Sequence, residues 1–315
     1  MRCLYPRTVG FRADGKTISW SFRLCSPEYA KFQLPCGKCI ECRLEYARSW
    51  AVRCVHESMM HEKSSFITLT YSDEKLTSPK LVYRDWQLFM KKLRKTQRDP
   101  IGVFVTGEYG DKTKRPHWHA ILFGYFPEDA IYYRRTELGD QIWKSDSLDK
   151  LWGFNDPIQR PNEVGAVTFK SAGYCARYAA KKLGHGRDGC HEFNPISKKS
   201  AKHAIGKKFL EKYWPDIFNH GECILADGTS ASIPRYYEKW LKENHPEEWL
   251  CYIKNVKLKK ISHAEVRSEK EHNTWLGYLY TRRERGVFSD PITKQETNIK
   301  LSADRLKRLN QFPKL

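Results

Sequence analysis

The spacing of apolar residues changes several times between residues 17 and 183, and each change marks a new element. "TISWSFRL", Thr17 to Leu24, alternates as a strand does, and "PCGKCIECR" is a compact turn. From Glu41 to about His61, the positions Leu44, Ala47, Ala51, Cys54, Val55, Ser58 and Met59 recur as a helical stripe. "SSFITLTY", Ser64 to Tyr71, is rich in β-formers, and "RDWQLFMKKLRKTQR" predicts a basic amphipathic helix closed by "DP". "IGVFVTGEYG" and "HWHAILFGYF" predict two strands joined as a hairpin by the turn-rich "YGDKTKRP". A polar segment follows, with a helix expected near Gln141 to Trp152. "VGAVTFK" then predicts a strand, and "SAGYCARYAAKKL" a helix directly after it.

Beyond Gly184 the texture turns to "GHGRDGCHEFNPISKKSAKH", rich in Gly, Asn, Ser and Lys. The expected organisation is residues 1–62 as a Cys-rich element and helix belonging to the catalytic domain, 63–200 as the core, and 201–315 as a basic, mostly helical accessory region. The fold class expected is α+β, with a central, mostly antiparallel sheet and flanking helices.

Charge narrows the partner. Lys and Arg number 56 against 37 Asp and Glu, a net +19 spread along the chain, which suits a ligand with many phosphates. No apolar run approaches a bilayer span, and "MRCLYPRTVGF" lacks the apolar core of a signal peptide. A soluble, intracellular protein that handles nucleic acid and binds no membrane is the expectation.

Within that frame, "KRPHWHAILFG" puts His117 and His119 on one side of a strand and Trp118 on the other. Two imidazoles side by side can share a divalent ion. Hairpin pairing would bring Glu108, at the end of the preceding strand, beside them, although sequence does not give the register. On the helix "GYCARYAAKK", Tyr174 and Tyr178 stand four residues apart, with Lys181 three further on, so all three share a face. A tyrosine oxygen can attack a phosphodiester where a metal polarises the phosphate and a neighbouring group neutralises charge. The same spacing also serves a buried helix face.

Cys36, Cys39 and Cys42 form a CxxCxxC run before the first long helix. Thiolates in so tight a turn can hold Zn²⁺, which wants a fourth ligand, and Cys3, Cys25, Cys54 and His56 are available. Reduced thiols are the alternative. The spacing also suggests a ferredoxin cluster, but residue 46 is a tyrosine where the next cysteine would fall; "CGKC" resembles a redox pair without the preceding strand.

Taken together and in order, "FITLTY", "RPHWHAILF" and "YCARYAAKK" resemble the three motifs of the HUH endonucleases. The two-tyrosine YxxxY form, "PCGKCIEC", "TGEYGDKTKRPHWHAILFG" and "IPRYYEKWL" resemble the replication initiators of microviruses, the gokushovirus branch above all. The resemblance covers roughly residues 36 to 240. It implies an HUH nuclease-like core, His117 and His119 as ligands of Mg²⁺ or Mn²⁺, Tyr174 and Tyr178 as nucleophiles, and Lys181 at the lysine position of the motif. It further implies nicking and joining of single-stranded DNA at a phage origin through a phosphotyrosine, in the cytoplasm of a bacterial host. A relaxase or single-strand transposase would share this chemistry, and a zinc-containing DNA-binding protein is the non-enzymatic rival. "GFRADGKT" fits the phosphate-loop pattern letter for letter, yet a strand rather than a helix should follow it. Duplex unwinding is therefore expected of a host helicase, alongside a host polymerase.

Overall fold

Buried side chains alternate along the strands of one large sheet, so both of its faces are covered. The structure, a computed structural model, describes residues 3–14, 17–29, 31–110, 113–137, 139–181, 195–200, 204–225, 228–284, 296–297 and 299–303, without the side chains of 178–181, 279 and 281–284. The chain divides into two compact units. Residues up to Glu45, together with those from Lys257 onward, make one; Tyr46 to Val256 make the other.

In the first unit, strands β1 (Arg7–Phe11), β2 (Ile18–Ser19) and β3 (Phe32–Leu34) form a small antiparallel sheet in the order β2-β1-β3. "TISWSFRL" is thus a strand only at its start, because a 3₁₀ turn at Phe22–Leu24 folds the rest back. Helix α1 (Ile40–Ser58) starts in this unit, and α8 (Leu258–Glu284) lies wholly within it.

The second unit holds β4 (Ser64–Leu69), α2 (Tyr83–Thr96), β5 (Gly102–Tyr109), β6 (Pro116–Phe123), β7 (Ile131–Arg135), β8 (Gln141–Lys144), α3 (Asp146–Trp152), β9 (Glu163–Gly165), α4 (Phe169–Lys181) and β10 (Ile196–Lys199). It continues with α5 (Lys207–His220), the short pair β11 (Cys223–Ile224) and β12 (Ser230–Ala231), α6 (Arg235–Asn244) and α7 (Pro246–Tyr252). Seven strands pair antiparallel throughout, in the order β10-β5-β6-β4-β9-β8-β7. The fold is α+β, and the histidine strand β6 is interior to the sheet.

Alternation decides what covers each face. Ile67, Leu69, Val103, Val105, Trp118, Ala120 and Leu122 point to one side, where Trp86, Phe89, Met90 and Leu93 of α2 and Leu148 and Trp152 of α3 bury them. Phe66, Phe104, Ile121 and Phe123 point to the other, beneath α1, α4, α5 and α6. Residues on both sides of position 200 therefore share one core. Phe209, Leu210, Ile217 and Phe218 of α5 and Tyr237 and Leu241 of α6 are buried in it.

Two elements begin later than the sequence suggests, and capping is the reason. Ser145 accepts a hydrogen bond from the Leu148 N–H, so α3 starts at Asp146 and Gln141–Lys144 is a strand. Thr168 and Ser171 cap each other reciprocally, at 2.8 and 3.1 Å, which ends the extended run at Gly165 and starts α4 at Phe169. After the phosphate-loop-like stretch the chain enters β2, as a hairpin requires and a phosphate loop does not.

His56 belongs to this packing rather than to a metal site. Its ring stacks on Phe209 at 3.9 Å between centroids, and Nδ1 lies 3.0 Å from the Tyr237 hydroxyl. Burial pushes its pKa from 6.5 down to about 4. The unfolded chain then binds a proton between those pH values that the folded chain refuses, so stability falls as pH drops through that window. The expected loss is on the order of 3 kcal/mol for this one group. Denaturant titrations at pH 7 and pH 4 should show it, and His56→Gln should lack that part of the acid loss.

Candidate active site

The β5–β6 hairpin pairs Glu108 directly with His117, and Thr106 with His119. Directly paired residues project from the same face, so Glu108, His117 and His119 all rise on the side covered by α4. Trp118 goes to the far side, where Gly107 opposite it leaves room; a Cβ on Gly107 would lie 2.6 Å from the Trp118 ring. The hairpin itself closes tightly, with the Gly110 N–H donating to the Arg115 carbonyl and Lys114 at a φ of 55°.

Both imidazoles are held from behind and aimed at one carboxylate oxygen. His117 Nδ1 lies 3.1 Å from the Arg115 carbonyl, and its Nε2 is 3.0 Å from Glu108 Oε1. His119 Nδ1 lies 3.0 Å from Thr68 Oγ1 on β4, and its Nε2 is 2.9 Å from the same Oε1. Fixing Nδ1 sets which nitrogen faces inward, the arrangement that second-shell partners impose on metal-binding histidines. Arg115 is held in turn by Asp73 and the Tyr71 carbonyl.

Burial raises the cost of every charge here, and hydrogen bonding decides the outcome. Burial alone would lift the Glu108 carboxyl, but its bonds to His117 and His119 win and hold it down to about 2. Burial keeps His119 below the ordinary imidazole range despite the neighbouring carboxylate. The result is an ionised carboxylate facing a neutral ring, the protonation states a cation needs. Glu108 Oε2 is buried without a hydrogen-bond partner. All three residues offer donor atoms within 4.8 Å of one another. Two imidazole nitrogens and a carboxylate oxygen suit a divalent ion, and the orphaned Oε2 is a donor without other employment.

Tyr174 reaches the same point from α4. Its hydroxyl donates to Glu108 Oε1 at 3.3 Å, and its ring meets His119 edge-on at 4.9 Å. The helix is seated there by the Thr106 hydroxyl, which donates to the Cys175 carbonyl. Arg177 lies over the Tyr174 ring, 5.9 Å from its centroid. Tyr178 lies one turn further along α4 and Lys181 at its end; the side chains of both fall outside the described residues. Thr68 and Thr106 escaped sequence reading, although Thr68 sits within "FITLTY". Thr68 also lines a cavity of about 360 Å³ beside the site, together with Glu163, Thr168 and Ser171.

The cysteine run comes together elsewhere. Cys36, Cys39 and Cys42 are joined by Cys3, in the other compact unit. Cys25, Cys54 and His56 are not among them: Cys54 and His56 are buried in the core under α5, and the Cys25 thiol faces the Ser19 and Ser21 carbonyls.

A chain with this site has relatives. "Replication-associated protein VP4" of Bdellovibrio phage phiMH2K is 42% identical over 324 residues that cover the whole of both chains. The chain belongs to the replication-associated proteins of the microviruses. "Replication-associated protein ORF2" of Spiroplasma virus 4 is 27% identical across 88% of this chain and 93% of its own. "Replication-associated protein ORF4" of Chlamydia phage 1 is 31% identical across 67% of this chain and 54% of its own. The family model for replication-associated proteins of the ORF2 type matches residues 64–183, from β4 to just past α4, which spans the site of this replication-associated protein. No solved structure matches the chain. Among the described residues, no helix is long and apolar enough to cross a membrane.

The geometry sets an expectation for cation binding. Titrated with Mn²⁺ and followed by calorimetry, Glu108→Gln and Thr68→Val should each bind about 10–100-fold more weakly than the unsubstituted protein. Thr68 supports His119 without supplying a metal donor in this set, so an unchanged affinity in Thr68→Val would disconnect it from the site.

Proposed function

We propose that the protein initiates replication of a small phage genome by cutting single-stranded DNA at the origin and rejoining it through a phosphotyrosine, as HUH endonucleases do. The observation that carries this reading is the 3.3 Å approach of the Tyr174 hydroxyl to the carboxylate oxygen that both histidines face. A nucleophile and a candidate cation site lie within one hydrogen bond of each other. Divalent Mg²⁺ or Mn²⁺ bound there would polarise the scissile phosphate and offset charge building on its oxygens.

In this reading Tyr174 Oη attacks the phosphorus and the bond to the 3′ oxygen breaks. A 5′-phosphotyrosine forms, and the freed 3′-hydroxyl primes synthesis. Glu108, held near a pKa of 2, is too weak a base to take the phenolic proton, so its part is to orient the phenol and hold the cation. Tyr178, on the same helix, is the second nucleophile, and Lys181 neutralises phosphate charge. Alternation between two phenols allows the regenerated origin to be cut while the first DNA end is still attached. The freed 3′-hydroxyl then closes the displaced circle. Binding of the strand rests on the chain's distributed cationic side chains, in keeping with its net charge of +19. Strand separation and synthesis fall to the helicase and polymerase of the host, in whose cytoplasm the reaction runs.

Incubation of the protein with labelled single-stranded DNA from its own genome and Mn²⁺ should give a denaturant-stable adduct. At least one of Tyr174→Phe and Tyr178→Phe should retain it. The double variant should fall by on the order of a thousandfold or more. An undiminished adduct from the double variant would put the nucleophile elsewhere.

A further inference from the structure

Residues 3 to 39 contain little that would hold them together. Their strands are two to five residues long. Leu4, Val9 and Cys39 are the buried apolar residues described there, while Tyr5, Ile18, Trp20, Phe22, Leu24 and Tyr29 are exposed. Three short strands with so small a core need another source of stability.

The four cysteines of this unit supply the geometry for one. Their sulfurs all lie within 4.8 Å of one another. Cys3 and Cys39 are 3.9 Å apart, and Cys36 and Cys42 are 4.0 Å apart. A tetrahedral zinc with Zn–S bonds of about 2.3 Å has sulfur–sulfur edges of about 3.8 Å. The two measured pairs share no residue, so they correspond to opposite edges of that tetrahedron. A four-iron cluster, with sulfides between its irons, would spread its thiolates further apart.

Backbone donors complete the arrangement. The N–H groups of Lys38 and Cys39 point at Cys36 Sγ, at 3.5 and 3.3 Å. The Cys36 N–H donates to Cys3 Sγ at 3.1 Å, and the Leu4 N–H to Cys39 Sγ at 3.5 Å. Amides aimed at sulfur favour the thiolate over the thiol, and hydrogen-bonded thiolates are the usual surroundings of a bound metal. Gly37, at a φ of +71°, makes the turn that lets two amides in succession face one sulfur.

We propose that Cys3, Cys36, Cys39 and Cys42 bind a single structural Zn²⁺ that fastens the beginning of the chain to the start of α1. Cys3 is the ligand that the CxxCxxC run lacks. The ion closes four coordination positions with protein sulfur and leaves none for a substrate, which makes it a structural centre rather than a catalytic one. Its binding couples to folding of the β2-β1-β3 sheet, whose strands lie between the first ligand and the other three.

Elemental analysis of full-length protein, purified in reducing buffer without chelator, should find about one zinc per chain. Cys3→Ser should retain less than about a tenth of it, while Cys25→Ser keeps it all. If Cys3→Ser does not fold, the unsubstituted protein still decides: a mercurial should release the zinc as four thiols react, and Co²⁺ exchanged into the site should give the intense red-region absorption of a tetrahedral thiolate complex. Protein lacking zinc, protein carrying iron in its place, or full zinc in Cys3→Ser would each overturn the proposal. None of these readouts depends on DNA cleavage, so failure here and failure of the nicking reaction are separate results.

Discussion

The pairing of Glu108 with His117 across the β5–β6 hairpin is the constraint on which the site depends. Side chains alternate with a period of two, so a slip of one residue would carry the histidines away from Glu108's face. What holds the register lies on the opposite side of the sheet. Trp118 is fully buried against α2, and it fits there because its partner is Gly107, where any larger residue would meet the indole ring. The Trp118 Nε1–H is also satisfied by the Tyr71 hydroxyl, 3.0 Å away. Hydrophobic packing on one face thus fixes the polar geometry on the other.

The rest of the unit brings a phenol to that geometry. Reciprocal capping by Thr168 and Ser171 sets where α4 begins, and the Thr106 hydroxyl ties its Cys175 carbonyl to β5. Those two anchors put Tyr174, rather than a neighbour on the helix, over the carboxylate. The small residues Ala172 and Ala176, buried beside it, let the helix lie close to the sheet. Burial then sharpens the electrostatics: the imidazole of His119 stays neutral and the carboxylate stays charged in a site from which water is largely excluded.

Much of this was legible because it rests on short-range periodicity. The His-x-His alternation, the stripe of α1 and the YxxxY spacing each concern neighbours along one element, and these elements stand where the pattern puts them. Pairing across a turn is different. The register that makes Glu108 a partner of His117 comes from packing of Trp118 against residues on other elements, which no local pattern encodes. Thr68 and Cys3 lie far along the chain from the residues they support, so sequence offered Cys3 only as one of four candidates. Strand β7 has every residue exposed and so no alternation to read, while β10 lies in a stretch that resembles a loop by composition. Helices α5 and α6 look like a basic tail in sequence, yet their apolar stripes belong to the same core as the sheet.

The central claim is that the phenol beside the Glu108–His117–His119 cluster is a nucleophile toward DNA. Its most direct test is to locate the attachment point: form the adduct with the unsubstituted protein, digest protein and DNA, and find the nucleotide-bearing peptide by mass spectrometry. The account predicts a phosphate-linked nucleotide on Tyr174 or Tyr178, within the peptide of helix α4. A nucleotide attached to any residue outside that helix would contradict it.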